Sequence, residues 1–71
     1  MKMTVQEFGG EPYTSNCSAS TFTEAINEMR QSIRREFPEK EILLETGFAN
    51  LVTGGLTVSF AIGDIHVTFA K

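Results

Sequence analysis

The chain has 71 residues, 41% of them hydrophobic and 21% charged, with six basic against nine acidic side chains, one cysteine and one histidine. That length holds a single domain, residues 1–71, which buries only about 60% of the surface of its unfolded chain, and the composition is that of a folded module rather than a disordered tract. The net charge of −3 argues against autonomous nucleic-acid binding, which rests on clustered Lys and Arg; no stretch reaches the roughly 20 apolar residues of a membrane span, and a lone cysteine builds no disulfide framework.

The stretch "KMTVQEF", residues 2–8, alternates Met1, Met3 and Val5 on one side with Lys2, Thr4 and Gln6 on the other, which is strand periodicity. Gly9-Gly10 follows as a hairpin turn and leads into a second strand from Glu11 to about Cys17, irregular or at an edge because Pro12 cannot donate to a ladder. "TSNCSAS", residues 14–20, is polar and aperiodic and reads as loop. Thr21 and Glu24 then have the spacing of a capping box. From Phe22 to Phe37 the apolar residues Phe22, Ile26, Met29, Ile33 and Phe37 form one stripe of an amphipathic helix, with glutamates at its start and Arg30, Arg34 and Arg35 near its end, as the helix dipole favours. Pro38 ends it.

"EILLET", residues 41–46, is expected to be a strand, and Phe48 to Phe69 a meander broken by Gly54-Gly55 and Gly63-Asp64. If each glycine-containing pair is a two-residue turn, Ile62 lies opposite Ile65, Phe60 opposite Val67, Val58 opposite Phe69 and Leu51, and Ala49 opposite Phe60, all on one core face. The expected fold class is α+β, an antiparallel sheet of four to five strands with one amphipathic helix packed on one face, in the order β(β)αββββ. No internal repeat, linker or second domain is visible.

The same register puts Phe48, Asn50, Val52, Thr57, Ser59, Ala61, His66, Thr68 and Ala70 on the other face. With one helix, nothing covers that face, and an uncharged patch on a small protein is a candidate for protein contact. The charged helix face around Glu28, Gln31, Arg34 and Arg35 is the second candidate surface.

Catalytic motifs are absent. Cys17, in or beside a loop, has no base placed to activate it, and His66 with Asp64 supplies too few ligands for a metal site. Neither glycine pair is followed by the Lys-Ser/Thr and helix of a phosphate loop, and nothing brings Glu7, Glu41 and Glu45 into one pocket. The match of Asn16-Cys17-Ser18 to a glycosylation acceptor is accidental in a chain whose start has no apolar signal region. The chain is therefore read as non-enzymatic, cofactor-free, not membrane-bound and cytoplasmic.

As a very short, acidic, standalone α+β chain without catalytic residues, it resembles in general profile the small phage-encoded inhibitors, anti-CRISPR proteins among them. That resemblance implies a regulator or inhibitor acting by surface contact on a larger protein, including one with a basic nucleic-acid-binding surface. Two alternatives stand beside it. One is a homo-oligomer, such as a homodimer, packed through the uncovered sheet face; the other is a weak nucleic-acid module using Arg30, Arg34 and Arg35.

Overall fold

The computed structural model describes all residues, Met1–Lys71. In chain order the elements are β1 (Lys2–Glu7), β2 (Tyr13–Asn16), α1 (Phe22–Glu36), a 3₁₀ turn (Pro38–Lys40), α2 (Glu41–Ala49), β3 (Val52–Thr53), β4 (Thr57–Ile62) and β5 (Ile65–Ala70). The strands form one antiparallel sheet in the order β2-β1-β5-β4-β3. The fold is α+β, as the sequence predicts, but it has two helices rather than one.

The centre of the sheet is β5, paired along its whole length with β1 on one side and β4 on the other. Alternation turns Val67 and Phe69 of β5 and Val58, Phe60 and Ile62 of β4 to the same side, where each is at most 6% exposed. Met3 and Val5 extend this face onto β1, and both helices lie over it, contributing Ala25 and Leu44 to one buried cluster. Because β2 and β3 are opposite edges, the helical segment between them must cross the whole sheet. It does so on one face.

The α1 helix begins where the capping-box spacing places it: Thr21 is extended (φ −129°, ψ 161°) and its hydroxyl accepts from the Glu24 amide at 3.2 Å. The Glu24 carboxylate reaches back to the amide of Ser20, one residue before the cap, at 2.9 Å. Phe37 departs from the expected stripe. It caps α1 just before Pro38, is 46% exposed, and carries the Lys40 ammonium 5.5 Å from its ring centre.

Residues 41–46 are the main correction: they belong to α2 and not to a strand. Helical spacing explains it. Leu44 and Phe48, four apart, turn inward, and Glu41 and Glu45, four apart, both reach α1, where Arg34 and Arg30 donate to them at 2.8 and 2.7 Å. With α2 running to Ala49, the strand expected around Phe48–Val52 shrinks to Val52–Thr53.

The register of β4 with β5 is the predicted one, around a two-residue turn in which Gly63 has φ +61°. The β3–β4 turn instead closes between Gly54 and Thr57, whose backbones bond at 2.8 Å. Thr53 rather than Leu51 therefore faces Val58, and Ala49, still helical, has no place opposite Phe60. A displacement of two residues keeps Val52 and Thr53, the residues that remain in β3, on their expected faces.

Beyond Ser59 the β4 edge has no strand beside it, and α2 takes that place. Gly47 is fully buried there, and a Cβ built on it would run into the Ala61 carbonyl oxygen, with the carbonyl carbon at 3.2 Å. Only glycine lets the helix approach the strand so closely.

Candidate functional site

The face of the sheet away from both helices is bare and almost uncharged. Of the residues in the five strands only Lys2 and Glu7 are charged, and alternation leaves Lys2 alone on the bare side. Cross-strand pairing sets a row of small side chains from edge to edge: Thr14, Thr4, Thr68, Ser59 and Val52. At the usual strand spacing this row is about 19 Å long. On one side of it lies the row Gln6, His66, Ala61; on the other lies Asn16, Lys2, Ala70, Thr57. Thr4 and Thr14 share a hydroxyl–hydroxyl hydrogen bond of 3.1 Å across two strands, and Val52 is 66% exposed. Such a surface costs less to desolvate than a charged one.

Seven of the nine residues expected on this face, Val52, Thr57, Ser59, Ala61, His66, Thr68 and Ala70, stand there. Phe48 and Asn50 do not. Phe48 lies in α2, meets the Phe60 ring edge-on with 4.8 Å between centroids, and lies 4.9 Å from the Arg30 guanidinium. Asn50 caps α2, donating its amide to Gly47 at 3.1 Å and its side chain to the Thr46 carbonyl at 2.9 Å. Lys2, Thr4 and Gln6 of β1 and Thr14 and Asn16 of β2 complete the face. The alternation of residues 2–8 already separates Thr4 and Gln6 from the apolar positions; that β1 docks beside β5 is long-range information.

The charged helix face is divided between two tasks. Arg34 bonds Glu41, and Arg30 grips Glu45 through two nitrogens at 2.7 and 3.3 Å, so these arginines join α1 to α2. Glu28 turns to the other flank, where the Cys17 thiol donates to its carboxylate over 3.6 Å. Gln31 and Arg35 are exposed, and the nearest carboxylate to Arg35 is Glu36 at 3.9 Å.

The hydrogen bond from Arg30, helped by the charges of Arg30 and Arg34 and opposed by desolvation, holds the Glu45 carboxyl below its ordinary range. A depressed carboxylate stabilises the fold above its unfolded pKa, about 4.3, and that contribution fades as pH falls through the lower folded value. In an NMR titration Glu45 is expected to protonate at lower pH than an ordinary glutamate side chain. Arg30→Gln should raise its midpoint and flatten the stability–pH curve in that acid window; an unmoved midpoint would mean the ion pair does not form in solution.

A cleft of about 370 Å³ opens between α1 and the β1–β2 corner, lined by Met3, Cys17, Glu28, Met29, Ile33 and Phe69 among others. It is mainly apolar, with Glu28 as its one charge. Its titratable groups, Cys17 and Glu28, already bond each other.

No protein-family model matches the chain, and neither does any curated protein or solved structure.

Proposed function

We propose that the chain is a non-enzymatic protein-binding regulator or inhibitor that docks onto a larger protein with the bare face of its sheet, in the manner of phage-encoded anti-defence proteins. The observation that carries this reading is the segregation of charge. A surface meant only for water normally carries Lys, Glu, Asp and Arg; here those residues gather on the helices and turns, and a broad five-stranded face keeps only Lys2. Depletion of charge at a contact centre is the compositional mark of protein interfaces. The arginines give little support to a nucleic-acid contact, since Arg30 and Arg34 are bonded to carboxylates within the chain.

The test uses the paired substitution Thr4→Glu with Thr68→Arg. These residues are direct cross-strand neighbours, so the new charges attract each other and spare the fold, while two long side chains now stand in the middle of the face. Wild-type bait should retain a protein from a lysate of the source cells that the paired variant loses by about tenfold or more, and retention should change little between low and high salt because the contact is uncharged. Equal retention by both baits would contradict the reading, as would a steep salt dependence.

A further inference from the structure

The two edges of the sheet are finished differently. At one, β3 is two residues long and α2 lies across the remainder of β4. At the other, β2 has no strand on its outer side. The Cys17 amide donates to the Met1 carbonyl at 2.8 Å and the Met1 amino group donates to the Cys17 carbonyl at 3.3 Å. Odd-numbered residues of β2 thus turn their backbone groups toward β1, and Thr14 and Asn16 turn theirs outward. Devices that blunt an exposed edge, such as a lysine, a bulge or an internal proline, are missing from Tyr13-Thr14-Ser15-Asn16. Pro12 precedes the strand.

We propose that a second copy of this chain covers this edge: two β2 strands pair antiparallel about a two-fold axis at Ser15 and join two five-stranded sheets into one. This inference is independent of the bare-face reading. The parity of the edge is self-complementary. With Ser15 on the axis, Thr14 lies opposite Asn16 of the second copy, and both have outward N–H and C=O groups, so the pair and its symmetry mate satisfy every outward amide of the strand.

The same register places Tyr13 opposite Cys17 of the second copy. Tyr13 faces the helix side, because it pairs directly with Val5, and it is 68% exposed, an unusual position for so large a ring. Cys17 lines the cleft under α1. Each Tyr13 ring therefore enters the other copy's cleft, its apolar body on Met3 and Met29 and its hydroxyl toward Glu28, the cleft's only charge. One exposed tyrosine, one open cleft and one unpaired edge are matched by a single symmetry operation.

Disulfide trapping reads the register directly. Residues 13 and 17 of opposite copies form a non-hydrogen-bonded pair, whose Cα atoms lie about 4.5 Å apart, within disulfide range. Tyr13→Cys, keeping Cys17, should oxidise to a covalent dimer. Ser15→Cys with Cys17→Ser should do the same, whereas Val52→Cys with Cys17→Ser, at the other edge, should not. Thr14→Pro removes an outward N–H and the exposed Thr4–Thr14 hydroxyl bond but leaves the backbone bonds to β1 intact; it should weaken the dimer seen by light scattering about tenfold or more while circular dichroism stays that of the wild type. Equal trapping at residues 15 and 52 would overturn the proposal. So would a wild type that stays monomeric over a hundredfold concentration range, or a folded Thr14→Pro variant that dimerises as the wild type does.

Discussion

Gly47→Ala is expected to destabilise the protein by about 3 kcal/mol. In most helices the opposite holds, since alanine gains about 1 kcal/mol over glycine in a helix interior. Two effects therefore compete at this position, and their magnitudes decide the sign. The new methyl would meet not a side chain that can swing away but the backbone carbonyl of Ala61 in β4. Relief requires α2 to lift off the sheet edge, and Leu44, fully buried on the same helix, would be withdrawn with it. For a domain of this size each kcal/mol moves Tm by about 4–8 °C, so a fall of roughly 12–24 °C is expected in thermal unfolding. Thr46→Ala is the control. Thr46 is exposed and its hydroxyl bonds only the Ile42 carbonyl one turn back, so its removal should shift stability by no more than about 0.5 kcal/mol. A neutral or stabilising Gly47→Ala would show that α2 does not sit against β4 as described.

Phe69→Ala should be the most damaging single truncation, at about 3–5 kcal/mol. Phe69 stands on the central strand, 1% exposed, with Met3 of β1 and Val58 of β4 directly across from it and the Phe60 ring 6.1 Å away. Few other residues share its load, because only nine of the 71 are fully buried. Marginal stability of about 0.05–0.15 kcal/mol per residue means that such a loss consumes roughly a quarter of the total or more, and urea denaturation should show a folded baseline that is short or absent. Phe8→Ala is the contrasting case. Phe8 is 93% exposed at the β1–β2 turn, so its loss should leave the urea midpoint nearly unchanged. A Phe69→Ala variant as stable as wild type would place the core elsewhere.

These two residues also mark the boundary of what could be read from the sequence. Val58, Phe60, Ile62, Val67 and Phe69 alternate without interruption around a glycine turn, so their shared face and the β4–β5 register follow from period-two patterning alone. The α1 helix follows as plainly from its capping pair, its apolar stripe and Pro38. Residues 41–46 mislead because "EILLET" holds three consecutive apolar residues, a run too short for periodicity to separate helix from strand. The helical signal lies in pairs four apart, Glu41 with Glu45 and Leu44 with Phe48, and becomes decisive only once Arg30 and Arg34 are seen to face the two glutamates.

Of the candidate surface, the β4 and β5 residues are legible for the same reason as the core, since they are the other half of the same alternation. Thr4 and Thr14 are harder. Their place in the face depends on β1 pairing with β5, some sixty residues later in the chain, and no local feature of the sequence specifies which strands become neighbours. Phe48, the residue that most suggested an exposed apolar contact, is the one the second helix removes from the face.

Whether the bare face of the sheet is the contact surface proposed above can be read from the threonine methyl groups within one sample. Thr4, Thr14, Thr57 and Thr68 stand on that face, and Thr21, Thr23 and Thr46 belong to the helical side. In a methyl NMR titration of threonine-labelled protein with the captured partner, the first group should shift or broaden while the second holds still. Perturbation confined to Thr21, Thr23 and Thr46, with Thr4 and Thr68 unmoved, would place the contact on the helices and rule the bare face out.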